Sequence, residues 1–176
     1  MESDQQLIES INQGDSEAFE ILYYRYRNWV YNLAWRFTRN DSDSLDVLQE
    51  TFTYLLDKFP GFNLGASMTT FLYPVVKHLA MNIVRKNRRF ASGEDDLIKI
   101  PISAEEPVEH RSELVVVLNV LPEEQREVLL MRFVDEMDLK EIAAALNIPT
   151  GTIKSRLHRA LETLRRDGRT RNYFFD

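Results

Sequence analysis

The chain contains no cysteine, which excludes a disulfide framework, a thiolate metal site and redox sensing by thiols, and suits a reducing compartment. It also lacks any apolar run approaching the roughly 20 residues needed to cross a bilayer. Its first ten residues, MESDQQLIES, are polar and acidic where a secretion signal would be basic and then apolar. A soluble, cytoplasmic protein without membrane insertion is expected. At 176 residues the chain has room for one or two modest cores, and two small domains are expected.

A basic excess is missing too: the net charge is −6. That total hides a segregation. Lys77, Arg85, Lys86, Arg88 and Arg89 form an acid-free block of net charge +5, and residues 150–171 again sum to +5 through Lys154, Arg156, Arg159, Arg165, Arg166, Arg169 and Arg171. Between them, Glu94 to Glu113 carries −5. Two basic patches divided by an acidic connector point to two contacts with a polyanion. On charge alone, solvated helix faces explain them equally well.

Helical periodicity dominates. Phe19, Leu22, Tyr23, Tyr26, Trp29, Val30, Leu33, Ala34 and Phe37 form an aromatic-rich seam over residues 18–37. Leu45, Leu48, Phe52, Leu55, Leu56 and Phe59 form a second, opposite a polar face of Asp46, Gln49, Glu50, Thr53 and Asp57. Pro60, Gly61 and Gly65 mark a loop. Ser67 is placed to cap a further helix in which Pro74 either starts the regular turns or kinks them. Residues 91–111, with Gly93, Pro101, Pro107 and dense charge, read as a flexible linker. The predicted architecture is all-α: a helical domain over 1–90, the linker, a second helical domain over 112–167, and a tail at 168–176.

In the second domain Asp138 and Glu141 form a capping-box pattern opening a short helix with Ile142, Ala143 and Leu146 inward. Asn147, Ile148 and Pro149 make a turn, and Thr150 and Gly151 lead into another helix. There Ile153, Leu157, Ala160, Leu161 and Leu164 share one face, whereas Thr152, Ser155, Arg156 and Arg159 lie opposite, flanked by Lys154 and His158. Small Ala143 and Gly151 are expected at the helix crossing. A short helix, a tight turn and a second helix with outward donors make a helix-turn-helix, whose second helix fits the DNA major groove.

These motifs carry a resemblance. LPEEQREVLLMRFVDEMDLKEIAAALNIPTGTIKSRLHRALETLRR, residues 121–166, is similar to the promoter-binding domain of bacterial extracytoplasmic-function (ECF) sigma factors of the sigma-70 family. DSEAFEILYYRYRNWVYNLAWRF and DSLDVLQETF resemble the N-terminal domain of that family, and SMTTFLYPVVKHLAMNIVRKNRR resembles its −10-reading stretch. The last departs from the family pattern at Phe71, Pro74, His78 and Asn82. The resemblance spans about residues 4–90 and 112–167.

The resemblance implies a factor that binds core RNA polymerase, directs initiation at promoters through −35 and −10 elements, and assists promoter opening. Carried over by position, Thr152, Lys154, Ser155, Arg156, His158 and Arg159 contact the −35 DNA, with Ser155 and Arg159 best placed for bases. Phe62, Asn63, Lys77, His78, Asn82, Arg85, Lys86 and Arg88 meet the −10 strand. Asp43, Asp46, Gln49 and Glu50 dock on the coiled coil of the largest polymerase subunit, the polymerase flap being the further contact, and an anti-sigma protein is the expected regulator. No cofactor, metal or catalysis is expected: His78, His110 and His158 are scattered, and neither an HExxH motif nor a phosphate-cradling glycine loop is present. The competing class is a regulator that binds DNA unaided, with a ligand-sensing first domain. The aromatic tail Tyr173, Phe174 and Phe175 either docks or frays.

Overall fold

The computed structural model describes residues 2–91 and 118–167. The expected linker beyond its first residue, residues 112–117 of the second domain and the aromatic tail lie outside the described residues. Seven helices lie wholly within the described residues, and no strand occurs among them. The chain divides into two compact units, Met1–Asp95 and Asp96–Asp176.

The first unit is built around α2. Helix α1, Asp4–Asn12, opens with a capping box: the Ser3 hydroxyl accepts from the Gln6 N–H at 3.3 Å, and the Gln6 side chain accepts from the Ser3 N–H at 2.9 Å. Its Leu7, Ile8 and Ile11 are buried. Helix α2, Ser16–Thr38, is capped by Asp15, packs on α1, α3 and α4, and buries Ala18, Leu22, Val30, Leu33 and Ala34. Its aromatic residues flank that aliphatic core. Phe19 and Tyr23 meet Phe52 edge-on with centroids 6.5 and 4.8 Å apart, and the Tyr26 hydroxyl donates to Asp4, which also pairs with Arg25. Burial, and then the Asp4 carboxylate, raise the Tyr26 pKa well above the usual phenol range.

Helix α3, Asp41–Leu56, is capped by Asn40. Its inward face differs from the apolar seam expected: Leu45 and Leu56 are 54% and 51% exposed, and the buried set is Ser44, Val47, Thr51, Phe52 and Leu55. Two hydroxyl residues are tolerated inside because each satisfies itself on its own helix. Ser44 Oγ donates to the Asn40 carbonyl at 2.6 Å and Thr51 Oγ1 to that of Val47 at 2.7 Å, so neither is left unpaired.

Helix α4, Met68–Ala91, starts at Ser67, whose Oγ accepts from the Thr70 N–H at 3.3 Å. Pro74 lies inside the helix and does not begin it; it is exposed, where its ring meets least resistance. Met68, Leu72, Tyr73, Val76 and Ala80 are buried, but no residue from Met81 to Phe90 is. The far half of α4 therefore runs beyond the core.

The second unit contains α5, Glu123–Phe133, α6, Leu139–Leu146, and α7, Thr150–Arg166, each packed on the other two. Leu121, Leu129, Ala160 and Leu164 form one buried cluster, with Leu157 and Leu161 packed against it. Val128, Met131, Met137, Ile142 and Ile153 are also buried.

Candidate nucleic-acid interface

The helix-turn-helix is fixed by local chemistry. Asp138 accepts from the N–H groups of Lys140 and Glu141 at 2.7 and 2.8 Å, and the Glu141 carboxylate accepts from the Asp138 N–H at 2.7 Å. These donors, the Glu141 N–H foremost, hold the Asp138 pKa below the ordinary carboxylate value. At the other end of α6, Asn147 takes the left-handed conformation, φ 53°, and its N–H bonds the carbonyls of Ala143 and Ala144. Asn is among the few residues other than Gly that enter this region readily. The chain then turns through Ile148 and Pro149 into α7.

On α7 the structure brings Lys154, Ser155, His158 and Arg159 together on the exposed face. Ser155 Oγ donates to the Gly151 carbonyl at 2.9 Å, so its lone pairs face outward and it offers a base an acceptor. Arg159 is exposed and extends the row. No side chain caps α7, and the first N–H groups of a helix have no intrahelical acceptor, which leaves this end suited to a phosphate. Thr152 is half-buried at the edge of the row.

Two expectations shift here. The Arg156 side chain, 23% exposed, turns aside to pair with Glu124 of α5 at 2.6 Å. Gly151 is not a crossing residue: a Cβ there would meet nothing within 4 Å. Ala143, by contrast, is buried as expected.

In the first unit, the face of α4 bearing Phe71, His78, Asn82, Arg85 and Arg89 follows the i, i+7, i+11, i+14, i+18 helical spacing. His78, Asn82, Arg85 and Lys86 are exposed, and Asn82, Arg85, Lys86, Arg89 and Phe90 line a shallow groove. His78 and Asn82 engage each other, Nε2 to Nδ2, at 3.0 Å. Lys77 and Arg88 are half-buried and lie on another flank by the same periodicity.

The loop between α3 and α4 joins this face. The Phe62 ring, half-buried, packs against Phe59 at 5.4 Å and Phe71 at 4.8 Å, so it is an anchored part of an aromatic cluster and not a free platform. Asn63 next to it is exposed.

On α3, Asp46, Gln49 and Glu50 are exposed on one side, with exposed Leu45 and Leu56 nearby. Asp43 stands apart. It is half-buried and accepts from Asn87 Nδ2 of α4 at 2.9 Å, a tie between helices.

Several participants escaped the sequence reading. Arg89 was counted in the charge block without being assigned to the DNA face, although its spacing from Asn82 and Arg85 placed it there. Exposed Leu45 and Leu56 had been set in the core. Glu124 and Asn12 carried no signal at all, since their partners are distant in sequence. Among the described residues no cluster of His, Cys, Asp or Glu is placed to hold a metal ion, and no helix is long and apolar enough to cross a membrane.

Comparison with known proteins matches residues 22–90 to Sigma-70 region 2 and residues 111–164 to Sigma-70, region 4. The chain is 31% identical over 177 residues to the ECF RNA polymerase sigma-E factor of Escherichia coli (strain K12), covering 92% of each chain. It is 28% identical over 174 residues to the ECF RNA polymerase sigma factor SigW of Bacillus subtilis (strain 168), covering 90% of this chain and 93% of that one. The fold matches that of the sigma factor RpoE of Bartonella quintana, solved with the anti-sigma factor NepR, at a TM-score of 0.64 and 20% identity over 84% of this chain and 94% of that one. With both regions present in order and that identity sustained along nearly the whole length, the chain belongs to the extracytoplasmic-function sigma factors of the sigma-70 family.

Proposed function

We propose that this protein docks on core RNA polymerase through Asp46, Gln49 and Glu50, with Leu45 and Leu56 as apolar contacts, and gives the polymerase its choice of promoter. In this reading α7 enters the major groove of the −35 element, with Lys154, Ser155, His158 and Arg159 facing the DNA, Thr152 at a phosphate and Arg156 oriented by Glu124. The loop carrying Phe62 and Asn63 and the α4 face of His78, Asn82, Arg85, Lys86 and Arg89 receive the separated −10 strand. Lys77 and Arg88 reach phosphates from the side, and Asp43 supports the docking helix from behind. The protein acts in the cytoplasm, needs no cofactor and makes or breaks no covalent bond. Opening is favoured because contacts to an extruded base offset an unstacking cost of a few kcal/mol. An anti-sigma protein that covers these faces is its regulator.

The observation that carries this reading is the pairing of an exposed basic row on a helix-turn-helix with a second basic helix face that adjoins an aromatic-anchored loop. The exposed polar side of α3 beside two exposed leucines has the mixed character of a protein interface. The test is transcription with purified components. The protein plus core polymerase is expected to give transcripts from defined starts, while the protein alone binds promoter duplex weakly and with a steep salt dependence. Tight sequence-specific binding without polymerase would favour the unaided regulator instead.

A further inference from the structure

One amide at the end of α1 makes three hydrogen bonds to a loop 50 residues away. Asn12 Oδ1 accepts from the N–H groups of Gly61 at 2.6 Å and Phe62 at 3.1 Å, and Asn12 Nδ2 donates to the Phe62 carbonyl at 2.8 Å. The amide thus reads both the donor and the acceptor edge of the Phe62 backbone, as a neighbouring strand would. Asn12 is half-buried, so water competes less for these bonds. Gly61 adopts φ 101°, a conformation costly for other residues, and the Phe62 ring is held between Phe59 and Phe71. Asn63, the next residue, is exposed. Backbone and ring of Phe62 are therefore both fixed, which sets where Asn63 begins.

We infer that Asn12 is a positioning residue for promoter selection: it clamps the Gly61–Phe62 backbone so that Asn63 meets an extruded base of the −10 strand in one orientation. This rests on the proposed reading of the loop. It makes α1, which carries none of the assigned DNA contacts, part of the specificity apparatus. Hydrogen-bond readout demands placement that charge attraction does not, so loss of the clamp should flatten base choice before it weakens strand binding.

The experiment uses the full-length protein bound to core polymerase and a single-stranded DNA pool randomised over about eight positions, with bound and unbound fractions sequenced. The native chain is expected to enrich one base sharply at one position. Asn12→Ala should keep its affinity for core polymerase and for the pool as a whole, yet lose selectivity at that position on the order of tenfold. Asn12→Asp retains the acceptor for both N–H groups and loses the donor, and should keep much of the preference. An Asn12→Ala protein with native selectivity overturns the inference. So does a parallel loss of polymerase affinity and of preference at every position in both variants, which would mark a general packing role. A native chain that binds polymerase but selects no base sinks the proposed reading and the inference together; a native motif untouched by Asn12→Ala sinks the inference alone.

Discussion

Helices α4 and α7 are both basic and both assigned to DNA, yet they are held in opposite ways. Along α7, burial continues from Ile153 through Ala160 to Leu164, so the exposed row stands on a fully backed platform. The basic part of α4 begins where burial stops: after Ala80 nothing up to Phe90 is buried. The difference matches two tasks. Reading base edges in a duplex needs a fixed register, because a bidentate contact fails when displaced. Following phosphates along a single strand needs charge and reach, which a projecting helix supplies without a rigid backing.

The largest test of that contrast is one substitution made on each helix. Ile153→Ala should destabilise the second unit by about 2–5 kcal/mol, seen as a lower unfolding midpoint in denaturant titration, with −35-dependent transcription lost. Ile83→Ala, at a half-buried site on the projecting part of α4, should cost about 1 kcal/mol or less. Equal costs would show that α4 is backed as firmly as α7.

Next in size is the nature of the contacts. Arg159→Ala should reduce discrimination between native and substituted −35 sequences by about 1–3 kcal/mol, with polymerase binding unchanged in a pull-down. Arg89→Ala should weaken binding about equally for all sequences and lower the salt slope by roughly 0.7–0.9 for the phosphate lost. If Arg89→Ala changes base preference and Arg159→Ala does not, the two roles are reversed.

The smallest effect concerns Gly151. The open space around it means that Gly151→Ala should leave thermal stability unchanged or raise it by up to about 1 kcal/mol. Affinity of the holoenzyme for promoter duplex should fall, because the methyl group stands where DNA backbone would approach. Unchanged affinity would move the duplex contact away from this end of α7.

Much of this was legible before any fold was known, and the reason is range. The Asp138–Glu141 box, the Asn147 turn and the inward face of α7 depend on residues within one or two turns of each other, and spacing alone reveals them. The signal for α1 was equally local, a Ser3–Gln6 box ahead of Leu7, Ile8 and Ile11, but it was obscured by the polar composition of the first ten residues. The inward face of α3 was misjudged because apolar counting ignores Ser44 and Thr51, which can be buried once their hydroxyls bond to the helix itself.

Taken alone, the order of residues determined an all-helical chain, the helix-turn-helix, the basic blocks and the family, since capping, turn chemistry and 3.6-residue periodicity are encoded over short distances. Tertiary structure alone decided that Arg156 faces Glu124, that Asp43 serves Asn87, that Phe62 is wedged among aromatic rings and that Asn12 holds a loop 50 residues ahead. Each of these joins elements that meet only after chain entropy has been spent on packing, and no local pattern announces which polar groups will then lie within hydrogen-bonding reach.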